Sequence, residues 1–461
     1  MAGSVPSPAE VSSAPPSGLL QRGSLLRVLG VAFGLAVIIG NTIGSGILRT
    51  PGVIATKLPN PWLFLSVWVI GGIYALFGAF SISELSAMIP RSGGYYIYAR
   101  RAFGEFPAFV VGWLDFLAQT GTTGTVAVVI GEYTADLFPA LVNRKVEVAV
   151  AVTIGMAVFQ WHSIHWGSFV QNLTGAAKAL GFLLLVAAIF LWPHAGIAIE
   201  PHHALPAGLA LAAALMLSLQ AVIYTYDGWY AVMYFGEEVR NPGKDIPRSM
   251  IGGVLSVMGI YLLVNAAIVY VLPMSQIAGQ DLALGRAAGA LFGHAGDTLL
   301  RVLVIISMLS GINAYHLMGS RIPLAMSRDG LLPKKVTTVN RGTPTVALFL
   351  TVVASLLFVV GGKVFERLVA ICAFYFVADY AMAYLGVMVL RHREPATPRP
   401  YRAWGYPWTT GIALLGSVAF LAAAIAGDTE NSLWALGVLA LSYPLYLLTR
   451  MMIARRAPAS A

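Results

Sequence analysis

The sequence predicts an all-α integral membrane protein of about twelve transmembrane helices, the first and sixth of them broken at mid-span. Three observations lead there. The 461-residue chain is 58% hydrophobic and 11% charged, whereas a soluble domain is about 25% charged. The apolar residues gather in runs of about 20 or more, the length that crosses a bilayer. Two runs are interrupted at matching places, at Gly44-Ser45-Gly46 and at Tyr224-Thr225-Tyr226-Asp227-Gly228-Trp229. Backbone leaves the helix at membrane depth only where it is buried in protein or lines a cavity. Paired breaks in two halves therefore mark a substrate site near the membrane midplane.

Taken in order, residues 1–22 are rich in Pro, Ser and Ala and read as a disordered cytoplasmic tail. They lack the basic, apolar and cleavage regions of a signal peptide. Spans are expected near 28–56, 61–89, 105–135, 146–164, 168–192, 206–238, 249–274, 298–327, 344–361, 364–391, 404–426 and 432–452. Five spans in each half invert one half relative to the other. The expected division is a first repeat over 23–200, a second over 201–395, and helices 11 and 12 with a cytoplasmic tail over 396–461. Arg and Lys crowd one set of connections, among them Arg91, Arg100, Arg101, Arg240, Lys244, Arg321, Arg328, Lys334, Lys335, Arg391 and Arg393. By the positive-inside rule both termini are cytoplasmic, in a cell (plasma or inner) membrane. The basic balance suits acidic lipid rather than nucleic acid. The single cysteine, Cys372, lies in an apolar span and reads as a buried thiol.

The breaks carry the chemistry. Gly44-Ser45-Gly46 frees backbone amides ahead of a new helical segment, and such amides bind anions. Ser45 adds a hydroxyl donor. The preceding half-helix ends at Thr42 and Ile43, whose carbonyls suit an ammonium. Amides and carbonyls a few ångströms apart match an α-amino acid zwitterion. A glycine-rich packing face is the alternative. At the second break Gly228 frees the backbone, and Tyr224, Thr225, Tyr226 and Trp229 offer groups to close over a substrate. Asp227 is costly in hydrocarbon; it either contacts substrate or caps the segment after it. Lys178, inside the fifth span, must be paired, hydrated or neutral, and can bond carbonyls of a broken helix in place of a metal cation. Glu84 and Glu132 read as capping or packing carboxylates, and Arg49 as a snorkelling side chain. The histidines lack metal-ligand spacing, and no phosphate-cradling loop is present. No cofactor or metal is expected.

Five segments, in this order and spacing, resemble the amino acid–polyamine–organocation superfamily and within it the L-type amino-acid transporters, over about residues 28–410. They are Ile43-Gly44-Ser45-Gly46-Ile47; Tyr226-Asp227-Gly228-Trp229; Glu237-Glu238-Val239-Arg240-Asn241-Pro242; Ser320-Arg321 with Ser327-Arg328-Asp329-Gly330-Leu331-Leu332-Pro333; and Arg391 through Arg399-Pro400-Tyr401 to Gly405-Tyr406-Pro407. The resemblance implies a LeuT-type fold of 5+5 inverted repeats plus two helices, and sodium-independent amino-acid transport, often by exchange. It matches Ser45 and Gly46 to the carboxylate-binding segment, and the carbonyls of Thr42 and Tyr224–Asp227 to the amine-binding set. It matches Tyr224 to an aromatic gate that is usually Phe, and Lys178 to the lysine at the sodium position of sodium-coupled relatives. Asp227 stands where animal members commonly have Gly, and Arg49 where an apolar residue is usual. The loop Phe138–Val146 has no cysteine, so no disulfide-linked heavy chain is expected as a partner.

The expected activity is exchange of small or neutral L-amino acids. Alternatives are a proton-coupled symporter with Lys178 as the titrating group, and a carrier of cationic amino acids or polyamines drawn by Asp227. A transport-like sensor would usually carry a soluble output domain, and an enzyme a nucleophile–base or metal constellation; the sequence offers neither.

Overall fold

A computed structural model describes residues 25–44, 46–191, 206–361 and 365–454. The expected tail 1–22 and Ser45 lie outside the described residues. The helices are α1 (Val31–Thr42), α2 (Gly46–Lys57), α3 (Pro61–Met88), α4 (Tyr95–Phe103), α5 (Glu105–Leu137), α6 (Lys145–His162), α7 (Ile164–Leu191), α8 (Leu209–Thr225), α9 (Pro242–Val271), α10 (Met274–Ile277), α11 (Ala283–Arg328), α12 (Thr345–Val360), α13 (Phe365–Arg393), α14 (Trp408–Gly427) and α15 (Thr429–Ala454). Two residue pairs, Val339–Asn340 and Thr343–Pro344, form a short antiparallel ladder.

Seven described helices or helix segments are long and apolar enough to cross a membrane: α3, α7, α9, Thr298–Arg328 of α11, Ala370–Arg393 of α13, α14, and Thr429–Met451 of α15. The pair α1 and α2, bent by 47°, makes an eighth. The apolar helices α8 and α12 are shorter. The chain is thus a multi-pass α-helical membrane protein. In α5, 33 residues long, apolarity is diluted by Asp115, Gln119, Thr120 and Thr123, all fully buried. That helix turns a polar face inward, as membrane helices do around a functional interior.

Local sequence sets the ends. Asn60 starts α3: its Oδ1 accepts from the amides of Trp62 (3.0 Å) and Leu63 (3.1 Å), and Pro61 needs no partner in the first turn. The interior is built around α1, which packs against α7, α9 and α11, and around α5, which packs against α4, α6, α11, α12 and α13. The helices α14 and α15 lie outside, against α3 and α13 and against α5 and α13. Their outward leucines, such as Leu415 and Leu433, are exposed, as lipid-facing side chains are.

Candidate functional site: a cavity at two helix breaks

A helix end leaves carbonyls without intrahelical partners, and at the end of α1 side chains from three other helices take them. Lys178 of α7, fully buried, donates from Nζ to the carbonyls of Gly40 (2.8 Å) and Ile43 (2.6 Å). Ser307 of α11 donates to Ile43 O as well, at 2.8 Å. Tyr261 of α9 donates from its hydroxyl to Thr42 O (2.7 Å) and to Thr225 O (3.0 Å). One phenol therefore ties both breaks together. A further tie is the hydroxyl pair Thr50–Thr225, at 2.7 Å.

The second break differs from expectation. After α8 the chain turns through Tyr226–Tyr230 into a single 3-10 turn, Ala231–Tyr234, rather than an α-helical half. Asp227 does not cap that turn, which carries no side-chain cap. Its carboxylate accepts instead from the Tyr230 hydroxyl (3.4 Å) and the Tyr380 hydroxyl. Gly228, at φ +105°, abuts the end of α1: a Cβ there would stand 2.6 Å from Asn41 Nδ2 and 3.0 Å from Thr42 N. Gly46 makes the other close approach, where a Cβ would lie 2.9 Å from the Thr225 methyl.

Between the breaks lies a cavity of about 280 Å³, close to the lower end of the roughly 300–1,000 Å³ of small-molecule sites. Thr42, Ile43, Gly44 and Gly46 line one side and Tyr224, Thr225 and Asp227 another. From there the cavity extends along α5 past Thr122, Thr125, Val126 and Val129. Among the sequence-predicted residues, Tyr226, Gly228, Trp229 and Lys178 are not in the lining. The Tyr226 ring packs on Trp68 and Tyr261, and its hydroxyl donates to Trp68 O at 3.1 Å. Arg49 is half-buried. It lines the cavity, with its buried Nε lacking a hydrogen-bond partner. Gly46, the first residue of α2, lines the same space. Asn41 is 5% exposed, lines the cavity, and has neither amide atom paired.

Sequence reasoning missed Tyr261, Ser307 and Asn41. Each is a polar residue within an apolar helix, the one available signal, but nothing in the linear order aims it at a break. Glu84 is placed as a packing carboxylate: 1% exposed, it accepts from Arg391 (2.5 and 2.9 Å), Arg399 (3.1 Å) and the amide of Ala403 (2.7 Å). Cys372 is a buried free thiol. Among the described residues no group of three or more His, Cys, Asp or Glu could hold a metal ion.

Fold and site together define a multi-pass α-helical membrane protein with a small-molecule cavity between broken helices. Residues 25–448 match the model of the amino acid permease family, and the chain belongs to that family, within the amino acid–polyamine–organocation superfamily. It is similar to the serine/threonine exchanger SteT of Bacillus subtilis, 29% identical over 415 residues, which are 88% of this chain and 93% of that protein. It is also similar to large neutral amino acids transporter small subunit 2 of Mus musculus, 29% identical over 82% of this chain and 73% of the relative. A third relative, b(0,+)-type amino acid transporter 1 of Mus musculus, is 26% identical over 83% of this chain and 80% of its own length. These are transporters, and the chain is one of their kind rather than an enzyme.

Proposed function

We propose that the chain is a sodium-independent secondary transporter that exchanges small or neutral L-amino acids by alternating access. The arrangement behind the proposal is a LeuT-type 5+5 inverted repeat of about twelve helices with both termini cytoplasmic. The observation that carries this reading is the cavity between the two breaks, with a lysine ammonium already bonded to the carbonyls where a coupling cation would otherwise sit. The amides from Gly44 to Gly46, with the Ser45 hydroxyl, hold the substrate carboxylate. The carbonyls of Thr42 and Tyr224–Asp227 face the amine. Thr42 O and Thr225 O each already accept from Tyr261, and each keeps a second lone pair for the substrate. Tyr224 covers the bound molecule, and Lys178 substitutes for sodium. The name of the Bacillus subtilis relative, a serine/threonine exchanger, supports small substrates and exchange.

A second reading rests on Asp227, whose carboxylate lines the cavity and would draw a cationic amino acid or a polyamine. Arg49 lines the same cavity and opposes it. Counterflow in proteoliposomes separates the readings. Vesicles are loaded with single unlabelled amino acids, neutral and cationic, or with a polyamine, and labelled uptake is followed in sodium and in choline media. Neutral amino acids should drive counterflow equally in both salts, and decarboxylated or N-acylated analogues should lose it. An amine without a carboxylate that exchanges as well as its amino acid overturns the zwitterion pose.

A further inference from the structure

Away from the substrate cavity, the turn between α6 and α7 forms one wall of a surface pocket of about 260 Å³. The pocket is lined by Leu26, ahead of α1; by His162, Ser163, His165 and Trp166 of the α6–α7 turn; and by Arg341, between α11 and α12. No Asp or Glu is among these lining residues. Backbone bonds and packing bring the three stretches together. The Ile164 amide donates to Arg341 O at 3.3 Å, and the Thr343 hydroxyl donates to Gln160 O at 2.9 Å. Leu26 packs against Gly342, where an added Cβ would lie 3.0 Å from the Leu26 Cγ.

The polar side chains of the lining are largely left over from this assembly. Among the described residues, neither the Arg341 guanidinium nor the His165 ring takes part in a hydrogen bond or ion pair. His162 differs: its Nδ1 lies 3.0 Å from Val158 O. That carbonyl can only accept, so Nδ1 carries the hydrogen and the ring serves as a wall.

Arg341 is held in place at a conformational cost. With Gly342 it forms the two-residue turn between the paired residues Asn340 and Thr343, at φ +47° and +81°. Such a turn favours Asn, Asp or Gly at its first position. Arg341 is the one non-glycine residue at positive φ among the described residues. A strained position that carries an unengaged guanidinium is a mark of function rather than of folding.

The pocket lies at the surface of the bilayer. It opens at the first turn of α7, a helix long and apolar enough to cross a membrane. Trp161, Trp166 and Phe169 are exposed around it, and the Trp166 and Phe169 rings meet edge to face at 6.0 Å. Tryptophan gathers where hydrocarbon meets water. On the same two helices Val158, Phe159 and Leu173 are exposed, as lipid-facing side chains are. This end of the molecule is also basic: Arg27, Lys334 and Lys335 are exposed on the segments that flank the lining. A guanidinium and an imidazole N–H match a phosphate, and the apolar flanks match acyl chains. A soluble phosphate would use the first feature and not the second.

We propose that this pocket binds the headgroup phosphate of an anionic phospholipid, with Arg341 as the main contact and His165 as a second donor. A bound headgroup bridges the segment before α1, the α6–α7 turn and the α11–α12 connection. The lining offers no carboxylate to a choline ammonium, so phosphatidylglycerol is preferred to phosphatidylcholine.

The test is native mass spectrometry of the purified full chain in detergent, titrated with phosphatidylglycerol or with phosphatidylcholine of the same acyl chains. The parent should bind its first phosphatidylglycerol about tenfold more tightly than phosphatidylcholine, the worth of one charged hydrogen bond. Arg341→Gly removes the guanidinium and relieves the turn, so its Tm should be no lower than the parent's while the tenfold preference disappears. Arg341→Lys, which keeps the charge without the planar fork, should retain part of it, and His165→Gln should weaken binding by less than Arg341→Gly. Millimolar inorganic phosphate should leave the bound lipid in place. Equal binding of the two lipids to the parent, an undiminished preference in Arg341→Gly, or displacement of the lipid by inorganic phosphate would each overturn the lipid site.

Discussion

Lys178 completes the end of α1 by supplying the hydrogen-bond donor that the broken helix cannot. In an unbroken helix the Gly40 carbonyl would accept from the amide of residue 44, but α1 stops at Thr42, and the Lys178 ammonium takes that place. Ile43 O keeps Ser307 if the lysine is lost, so Lys178→Ala strands Gly40 O above all. A charge-assisted bond of this kind is worth about 1.5–3 kcal/mol, enough to disorder the break. Lys178→Ala should transport near background, and parent uptake should be the same in sodium as in choline. Tyr261→Phe removes the bridge between Thr42 O and Thr225 O at a cost of about 1–2 kcal/mol; it should fold and be measurably slower. Full activity in Lys178→Ala would falsify the cation-substitute role. The lysine is legible in the sequence because a charge inside an apolar span must be satisfied. The hydroxyls of Tyr261 and Ser307 at the same helix end are not, because a hydroxyl on α9 or α11 reaches a break only after the helices pack.

At the scale of elements, the two breaks meet at a glycine. Gly228 sits at φ +105°, a conformation L side chains rarely adopt, and its missing Cβ leaves room for Asn41 and the Thr42 amide. Gly228→Ala combines backbone strain of about 1–3 kcal/mol with a clash that must push α1 from the turn. Uptake should collapse while the size-exclusion profile of the purified protein stays monodisperse; unimpaired kinetics would mean the two segments do not need this contact. Both breaks are visible because Gly and polar residues interrupt long apolar runs. The conformation just past the second break is not. Apolar periodicity continues through Trp229–Phe235, yet that stretch forms a 3-10 turn whose tyrosines pack on one another. Tertiary aromatic packing overrides the local pattern there. The span α5 is recognisable by length, but sequence reasoning missed Asp115 within it, and Asp379 likewise. Both are ionisable residues inside apolar helices, the one sequence signal that marks them.

Across the whole molecule, ion pairs tie one end together, and the cavity at the breaks extends the other way along α5, toward Val129. The sequence motifs, far apart in the chain, pair at the tied end. Glu238 holds Arg321 at 2.8 Å with both side chains fully buried, and the Arg321 guanidinium lies 5.0 Å from the Phe235 ring centroid. Glu237 holds Arg328 at 2.7 Å, and Asp329 holds Arg91 and Arg100 at 3.2 Å each. Arg101 bonds to Glu394 and keeps that carboxyl below its usual range, so the pair stays ionised. The strand-like pairing of Leu29 with Glu238 and Arg240 joins the start of α1 to the same end. Breaking the buried Glu238–Arg321 pair costs about 3–5 kcal/mol, which risks the fold. The partly exposed pairs cost up to about 1 kcal/mol each, and about 1.4 kcal/mol moves a two-state population tenfold. Alternating access therefore predicts that Arg328→Ala with Arg91→Ala shifts the molecule toward opening at the tied end without unfolding it. The lone buried cysteine makes this measurable. In a Cys372→Ala background, Val126→Cys places a thiol in the lining of the cavity. A membrane-impermeant thiol reagent should label it, a transported amino acid should slow the labelling, and the two arginine substitutions should slow it further by depopulating the state in which that side is open. Labelling indifferent to the arginine substitutions would show that these pairs do not hold the tied end closed.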